Sequence, residues 1–147
     1  MKRVLFIGHE AGRSGAPIVL LHLLRWLKAN SPEIETDLLL LTGGELEDEY
    51  EKVTNVFVAP KSSLPDIVTR GADFLKRKFD VRTGARALKL PPFERKYDAV
   101  VGNTILSLEY LGLFREKGFR TVCWIHELDH VVKLYFGERF VEAASGA

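Results

Sequence analysis

Two short stretches carry residue types that could do chemistry. The first is His126-Glu127-Leu128-Asp129-His130, a letter-by-letter match to H-E-x-x-H. In that pattern two histidines hold a zinc ion and the intervening glutamate acts as base, provided both imidazoles share one face of a continuous helix. Directly upstream, "TVCWI" (121–125) has the pattern of a strand, which puts His126 at a strand end, and no histidine follows His130 as a third ligand. A zinc hydrolase built on His126, Glu127 and His130 is therefore a minor alternative, and no metal is expected. A histidine at the end of a buried strand is otherwise a hydrogen-bonded structural group or a cleft residue.

The second stretch is Gly8-His9-Glu10-Ala11-Gly12-Arg13-Ser14-Gly15, between an apolar run and a long apolar helix pattern. Its glycines miss the G-x-G-x-x-G spacing of a dinucleotide fingerprint. Gly15 is followed by Ala16 and Pro17, so the lysine of a phosphate loop is missing too. What fits is a loop whose small residues, Gly15 and Ala16, let a phosphate or a polarised hydroxyl approach backbone N–H groups at a helix start, where the helix dipole is positive. The plain alternative is a tight turn with structural glycines. His9 and Glu10 would face the same cleft edge or water. Arg13 would pair with a phosphate or be solvated, and His22 belongs to the surface.

Elements of a particular kind must position these residues. Val4 to Ile7, "TDLLLLT" (36–42), "NVFVA" (55–59), "YDAVVG" (97–102) and "TVCWIH" (121–126) read as strands. They are apolar runs rather than alternations, as in strands buried on both faces. Between and after them lie helical patterns at Pro17–Ala29, Glu45–Glu51, Pro65–Lys78, Thr104–Lys117 and Asp129–Ala144. Pro17 suits a first helical turn, Ser14 or Gly15 would cap it, and Asn30-Ser31-Pro32 ends it. His22, Arg25 and Lys28 form a single polar stripe, so most of that first helix should be covered. Trp26 and Trp124 fall in apolar patterns that predict core packing, and Cys123 in a strand predicts an inert buried thiol. Alternating strands and helices with apolar strands specify an α/β fold: a Rossmann-like, doubly wound parallel sheet with helices on both faces, in a single domain over residues 1–147. Ligands in such sheets sit at the carboxyl ends of the strands.

Bulk properties exclude several classes. With 46% apolar and 28% charged residues the composition is that of a globular domain. A net charge of +1 argues against nucleic acid as a partner. One cysteine cannot form an internal disulfide, which points to a reducing, cytoplasmic compartment. No apolar stretch reaches the ~18 residues a membrane span requires. From Arg70 to Lys96, nine Lys/Arg stand against three Asp/Glu, interleaved with Phe74, Phe79 and Phe93. That stretch is a solvated surface or a peripheral contact with anionic lipid at the inner membrane face. The acidic run Glu45–Glu51 reads as a solvated helical face.

"VLFIGHEAGRSGAPIVLLHLL" (4–24), "YDAVVGNT" (97–104) and "TVCWIHELDH" (121–130) resemble, in order and spacing, the N-terminal half of the group 1 glycosyltransferases. These are the retaining family 4 enzymes built from two Rossmann-like domains, the GT-B fold. The resemblance implies that the chain is the acceptor-side half of such a fold. The full enzyme would move a sugar from a nucleotide-sugar to a sugar or lipid-linked hydroxyl acceptor with retention, using no metal and no cofactor. By position, Gly15 and Ala16 match the turn near the donor's phosphate and sugar. His126 and Glu127 match the histidine and acidic residue at the catalytic strand end. Asn103 and Thr104 match acceptor-side cleft positions, which His9 and Glu10 would join. The family's second domain binds the donor through Glu-x7-Glu and a basic pair. Here the nearest imitation, Glu109 and Glu116, is only seven apart and lies in the wrong half. The chain is then expected to be a natural or engineered fragment, inactive alone. The alternative is a stand-alone Rossmann-like binding or interaction module with no transferase activity.

Overall fold

The computed structural model describes residues 1–59 and 94–126. Five strands, β1 (Lys2–Gly8), β2 (Ile34–Leu40), β3 (Asn55–Val58), β4 (Ala99–Gly102) and β5 (Thr121–Cys123), form one sheet in the order β3-β2-β1-β4-β5. Every pairing is parallel. The helices are α1 (Gly15–Asn30), α2 (Glu47–Glu51) and α3 (Leu108–Glu116), the last preceded by a 3-10 turn at Ile105–Ser107. This is a Rossmann-like α/β domain.

The leucine run of β2 shows why the strands read as unbroken apolar segments. Leu39 and Leu41 join Leu5, Ile7, Val100, Tyr110, Leu111 and Phe114 in a core on the α3 face. Leu38 and Leu40 join Phe6, Leu20, Leu21, Leu24, Leu46 and Tyr50 in a second core on the α1 and α2 face. Successive side chains point to opposite faces, and each face needs an apolar partner. The sheet is thus wound on both sides, as expected.

β1 pairs with β2 on one side and β4 on the other, so the chain changes direction across the sheet at the β1/β4 boundary. That boundary is where the carboxyl ends of strands diverge and leave a crevice.

Several expectations are corrected. Trp26 is 57% exposed and Trp124 39% exposed, so neither belongs to the core. Ile18 and Val19 are exposed as well. α1 buries only Pro17, Leu20, Leu21 and Leu24, because it lies over the sheet as a surface helix and packs one stripe inward. The final strand stops at Cys123, although Trp124 N still donates to Gly102 O at 2.7 Å. Cys123 is only half-buried. The helical patterns at Pro65–Lys78 and Asp129–Ala144 lie outside the described residues.

Candidate functional site

The loop after β1 is held from below. Ala11 is fully buried, and its carbonyl accepts the Leu46 N–H at 2.9 Å. Gly44 packs directly on that backbone: a Cβ there would lie 2.5 Å from Ala11 O and 2.6 Å from Ala11 C. Only glycine admits so close an approach. Arg13 is exposed, and its guanidinium lies 3.2 Å from both Glu45 Oε2 and Glu49 Oε1. Glu49 also accepts from Arg25 at 2.6 Å. The hydrogen bond from Arg25 and the charges of Arg25 and Arg13 outweigh its partial desolvation and hold its carboxyl below the ordinary range. The acidic run is largely solvated, as expected, and Glu45 and Glu49 also pair at the surface with Arg13 and Arg25.

At the top of this loop α1 begins. Ser14 is its N-cap, in extended conformation, but its side chain makes no capping bond. The Ser14 hydroxyl instead lies 3.3 Å from Glu10 Oε1. The same carboxylate oxygen is 3.7 Å from His9 Nε2. Gly15 is exposed, with no atom within 4 Å of where a Cβ would stand, so the helix start is open to solvent.

The tips of β4 and β5 meet this helix start through one side chain. Asn103 is 2% exposed, and its Nδ2 donates to the Ala16 carbonyl at 2.9 Å. A carbonyl can only accept, so the amide orientation is fixed and Oδ1 faces the other way. There it lies 3.1 Å from His126 Nε2, which must donate. His126 also lies against Trp124, ring centroids 4.4 Å apart. Gly15, Ala16, Asn103 and His126 thus share one rim at the β1/β4 boundary. Thr104, 2% exposed, follows Asn103, and its carbonyl accepts from the Ser107 hydroxyl at 2.5 Å and the Cys123 thiol at 3.4 Å. Its own Oγ1 has no hydrogen-bond partner among the described residues, and neither has His9 Nδ1.

No family model, curated protein or solved structure matches the chain. The site must therefore be argued from its own geometry.

Glu127 and His130 lie outside the described residues. His126 stands beyond the end of a strand, not inside a helix, so H-E-x-x-H lacks the continuous helix at its first position. Among the described residues no cluster of three His, Cys, Asp or Glu could hold a metal ion. Most of the basic stretch at Arg70–Lys96 is also outside them. Arg95 is described, and its guanidinium is taken up by Asp37 at 2.9 Å and by the face of Phe57 at 5.1 Å. No described helix is long and apolar enough to cross a membrane.

One polar cluster was not anticipated. Asp37 sits in β2 at 2% exposure and accepts from Asn55 (2.8 Å), Tyr97 (2.8 Å) and Arg95 (2.9 Å). Burial pushes its carboxyl up, but these three hydrogen bonds and the Arg95 charge outweigh burial and hold it below the ordinary range. Burial and the bond to Asp37 raise the Tyr97 phenol. Asp37 borders an open groove of ≈ 510 Å³ lined also by Arg3, Lys28, Glu35, Asn55 and Arg95. The groove carries mixed charge, in which Arg3 pairs with Glu35 and Arg95 with Asp37. The signal was present in the sequence: a carboxylate inside a strand read as buried on both faces demands partners.

Proposed function

We propose that the chain is the acceptor-side domain of a retaining glycosyltransferase of the group 1, GT-B type. The complete enzyme transfers a sugar from a nucleotide-sugar to a hydroxyl acceptor. The observation that carries this is the Asn103 clasp, which joins Ala16 at the start of α1 to His126 beyond β5 at the mouth of the sheet. A transferase of this kind works by positioning two substrates and stabilising a leaving phosphate, not by a strong base on this domain. The rim suits that role. Exposed Gly15 leaves the positive end of α1 accessible to the donor's phosphate from a facing domain. The buried Asn103 amide holds His126 in one orientation beside the transferred sugar, and Glu127 follows it in sequence. His9, Glu10, Asn103 and Thr104 would form the acceptor side.

The test is a radiolabelled transfer assay with UDP-, GDP- and ADP-sugars and a panel of glycoside and lipid-linked acceptors. It is run on the protein of the complete reading frame and on the 147-residue chain. Transfer with retention is expected from the former and none from the latter, with His126→Ala lowering kcat about a hundredfold. Absence of transfer from every donor with the complete protein overturns the proposal and leaves the binding-module alternative.

A further inference from the structure

The amino ends of β1, β2 and β3 border a polar trough, at the edge of the sheet opposite the rim. Two adjoining cavities make it up. The larger, ≈ 510 Å³, is the groove beside Asp37, and the smaller, ≈ 360 Å³, extends it past Phe57. Both fall in the range of about 300–1,000 Å³ typical of small-molecule sites. Glu51, Asn55 and Arg95 border the two cavities alike. The charges along the larger one balance: Arg3, Lys28 and Arg95 stand against Glu35, Asp37 and Glu51. A simple anion or cation there meets as many like charges as unlike ones and gains little.

Most of these charges are already engaged. Arg3 pairs with Glu35, and Lys28 Nζ donates to the Lys52 carbonyl at 2.6 Å. Arg95 is engaged on one side only. Its Nη1 donates to Asp37 Oδ2 at 2.9 Å, and its guanidinium carbon stands 5.1 Å from the centre of the Phe57 ring. Asp37 is itself fixed by Asn55 and Tyr97. Carboxylate and ring together hold the planar guanidinium in place. Its side chain is still 41% exposed, and Nε and Nη2 bond to nothing among the described residues. Glu51, the last residue of α2, is exposed, and its carboxylate has no hydrogen bond or ion pair among the described residues. α2 packs on one face of the sheet and Phe57 on the other, so Glu51 and Arg95 reach the trough from opposite sides and no ion pair joins them.

We propose that this trough binds a small zwitterion of the amino-acid class. Its carboxylate takes the Nε–Nη2 edge of Arg95 as a bidentate pair, and its ammonium donates to Glu51. A ligand with both charges leaves the balance of the trough unchanged and gives each of the two groups a partner. A phosphate has nothing to offer Glu51 and adds negative charge beside it. The site lies at the opposite edge of the sheet from Gly15 and His126 and does not rest on the transferase reading.

The experiment follows the Arg95 Nε–H resonance of the ¹⁵N-labelled 147-residue chain. Glycine, β-alanine and 4-aminobutanoate are added in turn, with acetate and methylammonium as probes of one charge each. The three zwitterions differ in the distance between their charges. A saturable shift is expected from at least one of them, with affinity about tenfold above that of acetate or methylammonium. Glu51→Gln should weaken that binding about tenfold and leave the thermal midpoint where it was, because the side chain is exposed and supports no other group. Glu51→Lys should lose the zwitterion and gain succinate, whose second carboxylate meets the introduced ammonium. The proposal is overturned by any of four results: no zwitterion moves the Arg95 signal, a probe of one charge binds as tightly, Glu51→Gln binds as the parent does, or Glu51→Lys keeps the zwitterion and ignores succinate.

Discussion

Replacing Asn103 by alanine removes the donor to Ala16 O and the acceptor for His126 Nε2 from a position 2% exposed. A cost of about 1–3 kcal/mol is expected in urea unfolding, because the buried amide's bonds to two part-buried partners are both lost. Asn103→Asp should cost more than Asn103→Ala at neutral pH. Its carboxylate still accepts from His126 but cannot donate to the Ala16 carbonyl and instead opposes it. Equal stability of the two variants would show that the amide orientation deduced here is wrong. Which of these residues a reader of the sequence could find follows a simple physical division. His126, Gly15 and Asn103 were visible as residues at strand or helix ends. That Asn103 is the link between the other two was not, because the bond to Ala16 spans 87 positions and depends on strand order. The orphaned atoms of His9 and Thr104 were equally hidden, since lack of a partner is a property of packing.

At the scale of elements, the apolar runs of β1, β2 and β4 were legible because a parallel sheet covered on both faces makes no polar alternation. On the outer face of α1 the apolar pattern misleads for a related reason: Ile18, Val19 and Trp26 are apolar but exposed, and composition does not distinguish inward from outward. The seat of the first loop was also beyond sequence patterns, since it depends on α2 and the turn before it. Two substitutions examine that seat. Gly44→Ala drives a methyl group into the backbone of Ala11, and an expected loss of about 1–3 kcal/mol would be read from the urea midpoint. Tyr50→Phe removes the 2.7 Å bond from the fully buried Tyr50 hydroxyl to Pro17 O, which ties α2 to the first turn of α1. About 1 kcal/mol should be lost. Amide hydrogen exchange of residues 9–16 should accelerate more in Gly44→Ala than in Tyr50→Phe, because only the former displaces the loop directly. The opposite ranking would mean that α1, not the turn at Gly44, holds the loop.

For the molecule as a whole, the Asp37 cluster ties β2 and β3 to the segment entering β4, so its ionisation should be felt globally. The Asp37 carboxyl is held below its ordinary value in the folded protein by Asn55, Tyr97 and Arg95 acting against burial. An unfolded aspartate titrates near ~3.9. A depressed folded value means that the unfolded chain binds the proton more readily. The stabilisation is therefore fully present above about pH 4 to 5 and is lost as pH falls through the folded value. Unfolding free energy measured by circular dichroism in urea should therefore be flat from neutrality to about pH 5 and then decline. Asp37→Asn should be less stable at neutral pH, since its amide cannot accept from Arg95 as a charge does. Its acid decline should be shallower than the parent's by the contribution of one carboxylate. Parallel acid profiles for parent and Asp37→Asn would show that Asp37 is protonated in the native protein and that Arg95 does not hold it ionised.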